Sequence, residues 1–254
     1  MKTLKLLATC LISLVTAVTA HARPLDEVKK SGTMIVATEG QYAPFNYFQG
    51  SKLSGFEIEL AELVAKKMGV AIEWKALSFD ALLAGLRQDR WDLVIASHGI
   101  TPEREKAVTF ANPHYCSGGV IVATDPVIHT VPSLRDKVVA VQVGTTYLQH
   151  VQQLGLAKEV KTFPQDTDAR SALITHRVDA WVTDRFVAKL ALDANPSSGM
   201  HLGDYVFVER IAAAVAKGNT SLVQAYNQAL AQVMADGSYE ALSKKYFNED
   251  VRCK

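Results

Sequence analysis

Arg90-Trp91-Asp92-Leu93-Val94-Ile95-Ala96 and Arg177-Val178-Asp179-Ala180-Trp181-Val182-Thr183 decide the fold, because one order of elements occurs at both places. Each time a helical stretch, residues 80–88 in the first half and 168–175 in the second, passes through Arg-x-Asp into a short apolar strand. Upstream of each lies another strand with a polar end. Met34-Ile35-Val36-Ala37 stops at Thr38-Glu39-Gly40-Gln41, shortly before Tyr42, and residues 137–143 stop at Gly144-Thr145-Thr146-Tyr147. Between the first strand and the first Arg-x-Asp, the residues Phe56, Leu60, Leu63, Val64 and Met68 recur at helical spacing. Glu57, Glu59 and Glu62 stand early in that helix, Lys66 and Lys67 late, and Gly69 is the stop.

Strands alternating with helices predict an α/β fold with mostly parallel strands, and the replay predicts two lobes of one architecture. The expected division is residues 23–118 for the first part of lobe one, 119–209 for lobe two, and 210–254 for a return that completes lobe one. The strand-like apolar runs 119–123 and 210–216 are the expected two-strand hinge. Helices over 222–235 and 239–246, separated by Asp236-Gly237, pack back on the first lobe. Trp74 and Trp91 are expected in the core.

Several function classes are disfavoured by composition. With 27 basic and 26 acidic residues in 254, the chain has no broad field to recruit nucleic acid or an anionic membrane. There is no phosphate loop, no His-Glu-x-x-His and no Gly-x-Ser-x-Gly, so no metal or cofactor is expected. Residues 1–22 have the plan of a cleaved secretory signal, with Lys2 and Lys5, an apolar stretch from Leu6 to Val18, and Ala20-His21-Ala22. Cys10 lies too early in that stretch for a lipoprotein anchor. Cys116 and Cys253 would enter an oxidising compartment, where they either pair or remain a buried and an exposed thiol.

In such sheets a pocket forms beyond the carboxyl ends of the strands, so the polar residues placed there are the candidates for binding. Together they offer what a zwitterion needs: a guanidinium with backbone donors for a carboxylate, and a carboxylate for an ammonium. Arg104 falls in the first turn of a helix begun by Thr101-Pro102, where a cation opposes the helix dipole and wants an anion. A surface pair with Glu103 or Glu105 is the alternative. Thr145 and Thr146 start a helix in the other lobe. Asp184 follows a strand and either meets an ammonium or caps the next helix. Tyr42 and Phe79 either wall the ligand or pack in the core.

These stretches in this order resemble the periplasmic polar amino acid binding proteins, the family-3 solute-binding proteins of ABC transporters. The resemblance is carried by residues 37–45, 55–61 and 100–104, by Gly144-Thr145-Thr146 and Arg177-Val178-Asp179-Ala180, and by Asp236-Gly237-Ser238-Tyr239, and so spans the mature chain. It implies the type II periplasmic binding protein fold, a periplasmic monomer that closes over an amino acid, and delivery to a membrane permease with its ATPase. By the same resemblance Arg104 binds the α-carboxylate with backbone help from Thr146 and Ser97, and Asp184 takes the α-ammonium. Tyr42 and Phe79 sandwich the side chain, and Glu39 contacts a distal cation.

The chain departs from the family pattern at Ser97-His98-Gly99. Gly99 lacks a side chain that often helps hold the ammonium, and His98 either sets selectivity or fills space. Gln142 and Tyr147 could line the second lobe's face. The rival reading is a periplasmic cyclohexadienyl or arogenate dehydratase on this scaffold. That needs an acid shortly after Asp184, where this chain has Val187.

Overall fold

The structure is a computed structural model that describes residues 22–253, so the signal reading of residues 1–21, Cys10 included, lies outside the described residues. The chain opens with α1 (Leu25–Ser31) and β1 (Thr33–Thr38), then a small meander of β2 (Gln41–Tyr42), β3 (Asn46–Gln49) and β4 (Lys52–Ser54). Next come α2 (Phe56–Met68), β5 (Ala71–Ala76), α3 (Phe79–Arg87), β6 (Leu93–Val94), α4 (Pro102–Ala107) and β7 (Val108–Phe110). The second half contributes β8 (Tyr115–Ala123), β9 (Val138–Gln142), α5 (Thr146–Leu154), β10 (Glu159–Phe163), α6 (Asp166–Ile174), β11 (Ala180–Asp184) and α7 (Arg185–Ala194). It ends with β12 (His201–Ile211), β13 (Ala214–Ala216), α8 (Thr220–Ala235) and α9 (Ser238–Phe247).

Two five-stranded sheets result, ordered β5-β1-β6-β13-β7 and β10-β9-β11-β8-β12. Their common plan explains the repeated Arg-x-Asp. The Asp92 N–H donates to Ile35 O at 2.9 Å, and its Oδ2 accepts from the Ile35 N–H at 2.7 Å. Asp179 does the same at Val138, again with Oδ2 at 2.7 Å from the N–H. The motif thus ties the turn before β6 and before β11 to the first strand of its own sheet, satisfying a donor that the ladder leaves open.

Within each sheet β1 runs parallel to β5 and β6, and β9 to β10 and β11, although neither β5 nor β10 is singled out from sequence. The antiparallel strands are those that bring the chain across: β13 beside β6 and β7, and β8 beside β11 and β12. The first expected hinge run, 119–123, therefore lies within β8 of the second sheet, because its apolar residues pair with β11 rather than bridge. The second run is broken, Ile211 ending β12 and Ala214 opening β13. Between the sheets the two crossings hold each other, with Ala111 N–H donating to Ala213 O at 2.8 Å and His114 N–H to Ile211 O at 2.9 Å.

α2 begins and ends where its periodicity predicts. Phe56, Leu60, Val64 and Met68 are buried, Leu63 is half-buried, and Gly69 takes the left-handed C-cap with φ 72°. Trp91 is buried and donates its indole N–H to Leu82 O at 3.0 Å. Gly85 makes room for it: a Cβ there would stand 1.8 Å from the Trp91 ring. Trp74, on the edge strand β5, is only half-buried. Cys116 and Cys253 form a disulfide with Cα atoms 4.8 Å apart, and the Cys116 N–H donates to Val251 O. It fastens the C-terminus to the start of β8.

Candidate functional site

The carboxyl ends of β1, β6, β9 and β11 bring together the residues singled out from sequence. From the first sheet come Glu39 after β1, Tyr42 in the meander, Phe79 at the start of α3, and Ser97-His98-Gly99 after β6. Arg104 lies in α4, capped by Thr101, whose hydroxyl accepts the Arg104 N–H at 3.2 Å. From the second sheet come Gln142 at the end of β9, Thr145 as N-cap of α5, Thr146 in its first turn, and Asp184 at the end of β11.

These groups meet face to face across the cleft. Arg104 is buried, donating from Nη1 to Gly99 O at 2.8 Å in its own lobe and from Nη2 to Gly144 O at 3.0 Å in the other. Neither Glu103 nor Glu105 pairs with it; Glu103 pairs instead with Lys106. Glu39 accepts from the Gln142 amide at 2.5 Å. The Tyr42 hydroxyl donates to the Tyr147 hydroxyl at 3.3 Å and accepts the Asp184 N–H at 3.4 Å. Tyr42, Phe79, Glu39, Gln142, Thr146 and Tyr147 line a small cavity of about 10 Å³ between the closed lobes.

Asp184 takes the capping role with one of its two oxygens. Oδ1 caps α7 by accepting the Phe186 N–H at 2.7 Å, while Oδ2 is buried with no hydrogen-bond partner among the described residues. Phe79 stacks on the His98 ring, centroids 4.2 Å apart and planes 10° off parallel, and the Arg104 guanidinium lies 5.8 Å from the same Phe79 ring. Tyr42 stacks on Phe45, ring centroids 5.7 Å apart, and shares the lining of the cavity with Phe79. Thr145 donates to Gln142 O at 2.7 Å and accepts the Leu148 N–H at 3.2 Å, so its hydroxyl serves the helix start.

Ser97 differs from its expected role. With φ 56° it turns inward, and both its N–H and its hydroxyl donate to Glu57, at 2.8 and 3.1 Å. Glu57, fully buried, also accepts from Asn46 Nδ2 at 2.8 Å and faces His114 Nε2 at 3.0 Å. Ser97 therefore anchors the loop that carries His98 and Gly99. From sequence alone Glu57 is only one of several acids at the start of a helix.

A second carboxylate missed from sequence is Glu209 in β12. Its Oε2 is buried with no hydrogen-bond partner among the described residues, and a Cβ on Gly99 would stand 1.9 Å from it, with Thr146 Cγ2 at 3.2 Å. Burial pushes Glu39 up to about 8, Glu209 to about 7 and Asp184 to about 6; the neighbouring Thr146 side chain and then the Arg104 charge pull Glu209 back down, and the Ser117 hydroxyl and then the Phe186 N–H do so for Asp184. Burial also lowers the Arg104 guanidinium, which the Glu209 charge raises. His98 is held well below the usual histidine range by burial and by Arg104, which keeps it neutral.

Among the described residues no helix is long and apolar enough to cross a membrane. Residues 34–249 match the model of the bacterial extracellular solute-binding proteins, family 3. The L-cystine-binding protein TcyJ of Escherichia coli (strain K12) is 35% identical over 232 residues, covering 89% of this chain and 87% of that protein. A solved ancestral arginine-binding protein bound to arginine superposes with a TM-score of 0.82 at 36% identity, over 89% of this chain and all of that one. The ancestral amino acid-binding protein AncCDT-1, a precursor of cyclohexadienyl dehydratase, superposes with a TM-score of 0.80 at 32% identity, over 88% and 99%.

Proposed function

We propose, given that the chain belongs to the bacterial extracellular solute-binding proteins of family 3, that its cleft captures an amino acid with a cationic side chain and closes over it. The protein is an amino-acid solute-binding protein of the ABC-transporter class. It acts as a monomer in the periplasm.

The observation that carries the reading is the balance of buried charge: Glu39, Asp184 and Glu209 face a cleft whose buried cation is Arg104, while His98 is neutral. A zwitterion alone leaves that set negative; a ligand with one further cation brings it closer to neutrality. Arg104 binds the α-carboxylate, for which its planar fork is suited, with the Thr146 N–H at the start of α5 assisting from the other lobe. Asp184 takes the α-ammonium through Oδ2, and Glu39 meets the distal cation. Tyr42 and Phe79 flank the aliphatic part. Contacts from both lobes then hold the cleft shut for delivery to the membrane permease and its ATPase.

A dehydratase on this scaffold needs an acid near position 187, and the residue there is a buried valine on α7. The test is calorimetry on mature, ligand-stripped protein against the twenty amino acids, ornithine, cystine and prephenate. One-to-one binding of arginine, lysine or ornithine is expected, weakened at least 100-fold by Arg104→Ala, the loss of about two charge-assisted bonds. Preference for cystine would refute the charge-balance argument, because its second carboxylate has no second guanidinium. Turnover of prephenate would refute the binding-protein reading itself.

A further inference from the structure

β11, β8 and β12 are neighbours in the second sheet, and their register sets three oxygens on one face. Asp184 stands opposite Gly119, and Glu209 opposite Ser117. Directly opposed residues project to the same side, as do residues two apart on one strand, so Asp184, Ser117 and Glu209 share a face. Gly119, between them, has no side chain to intrude. Asp184 Oδ2, Ser117 Oγ and Glu209 Oε2 are each buried with no hydrogen-bond partner among the described residues.

Such atoms are rare, because a buried acceptor left unpaired costs roughly 1–3 kcal/mol. Three of them on adjacent strands mark a place built for a donor that arrives with the ligand. Glu209 reaches it through space that only a glycine at 99 leaves free.

We propose that Glu209 and Ser117 complete the α-ammonium site with Asp184, and that Glu209 replaces from the hinge strand the group that Gly99 gives up. The inference rests on the amino-acid reading above. A primary ammonium carries three N–H donors, matching the three acceptors, and a secondary amine carries one fewer. The site therefore selects primary α-amino acids, and Glu209 is a specificity-determining residue. The competing role for Glu209 is as counter-charge to Arg104, which would serve the ligand carboxylate instead.

The experiment separates these roles by removing the ammonium from the ligand. Calorimetry compares wild type and Glu209→Gln with L-arginine and with its 2-hydroxy analogue, which keeps the carboxylate and guanidinium but lacks the α-ammonium. Glu209→Gln should weaken arginine at least tenfold and leave the hydroxy analogue within about threefold of wild type. Equal weakening of both ligands would overturn the proposal in favour of the Arg104 role, and no weakening of either would overturn it outright.

Gly99→Ala, which pushes the carboxylate aside without removing it, gives a second reading should the glutamine variant be poorly folded; it should likewise weaken arginine more than the analogue. Nα-methylarginine should bind wild type at least tenfold more weakly than arginine, and equal binding would remove the three-donor argument. Failure of wild type to bind any amino acid would instead refute the function on which the proposal rests.

Discussion

Replacing Glu57 by glutamine tests whether the ligand loop is held from behind. Glu57 sits fully buried in the first turn of α2 and gathers the Asn46 amide, the Ser97 N–H, the Ser97 hydroxyl and the His114 ring. Glutamine keeps one acceptor oxygen and turns the other position into a donor facing donors. The bonds lost at that position are charge-assisted, about 1.5–3 kcal/mol each, and breaking one side of a buried charged network typically costs about 3–5 kcal/mol. We expect a loss of about 4 kcal/mol. For a chain of this size that lowers Tm by about 8–16 °C. Urea unfolding should show the midpoint falling with an unchanged slope, since the surface exposed on unfolding stays the same. Ser97 holds φ 56° with its two donors on Glu57, so release of the loop should also weaken ligand binding. A stability loss below about 1.5 kcal/mol, with binding intact, would refute the argument.

Acidity should act oppositely on the free and the liganded protein. Asp184, Glu209 and Glu39 have folded values near 6, 7 and 8 against ordinary values of 3.8 and 4.5, so each binds its proton more tightly when folded. Their stabilising contribution is full below about pH 4 and is lost as pH rises through 6 to 8, which thermal melts of the stripped protein should follow. A cationic ligand requires the ionised forms. Affinity for arginine should therefore rise from pH 5 to pH 8, with proton release in calorimetry run in buffers of different ionisation enthalpy. Replacing both Cys116 and Cys253 by serine opens a loop with a separation of 137 residues and should cost about 2–5 kcal/mol, read by urea unfolding. Gly85→Ala drives a methyl into the Trp91 ring and should destabilise by about 1–3 kcal/mol, with a change in tryptophan emission.

Much of the fold was legible because its signals are local. The 3.6-residue period of Phe56, Leu60, Val64 and Met68, followed by Gly69, needs no partner to be read, and the structure places α2 on those residues. The meander over residues 41–54 was missed, its strands being too short to show a period. The hinge was displaced because apolar strands that cross between sheets and those that pair within one have the same composition. Glu57 and Glu209 were obscured for a related reason, since either acid is unremarkable at its own position. Each nonetheless left a periodic signal. Glu57 shares its helix face with Leu60, Ala61 and Val64, and Glu209 alternates in step with Phe207 and Ile211, so both point inward by the rule used for their neighbours.

The lobes' mutual contacts bear on why closure would follow the ligand. Arg104 with Gly144, Gln142 with Glu39, and Tyr42 with Tyr147 and Asp184 are direct bonds across the cleft; those made by the charged Arg104 and Glu39 groups stabilise by about 1.5–3 kcal/mol each, and the tyrosine contacts, long for hydroxyls at 3.3 and 3.4 Å, by about 0.5–1.5 kcal/mol at most. Opposing them is the burial of Glu39, Asp184 and Glu209, whose raised proton affinities record how poorly the closed cleft solvates a carboxylate. At neutral pH the two effects work against each other. A bound cation reverses the second without removing the first, because the desolvated acids become partners. Moving the equilibrium from one to ninety-nine per cent closed takes about 5.5 kcal/mol. Charge-assisted bonds at the Arg104 and Asp184 ends, at about 1.5–3 kcal/mol each, are of that size. The charges that choose the ligand are thereby the ones that make closure depend on it.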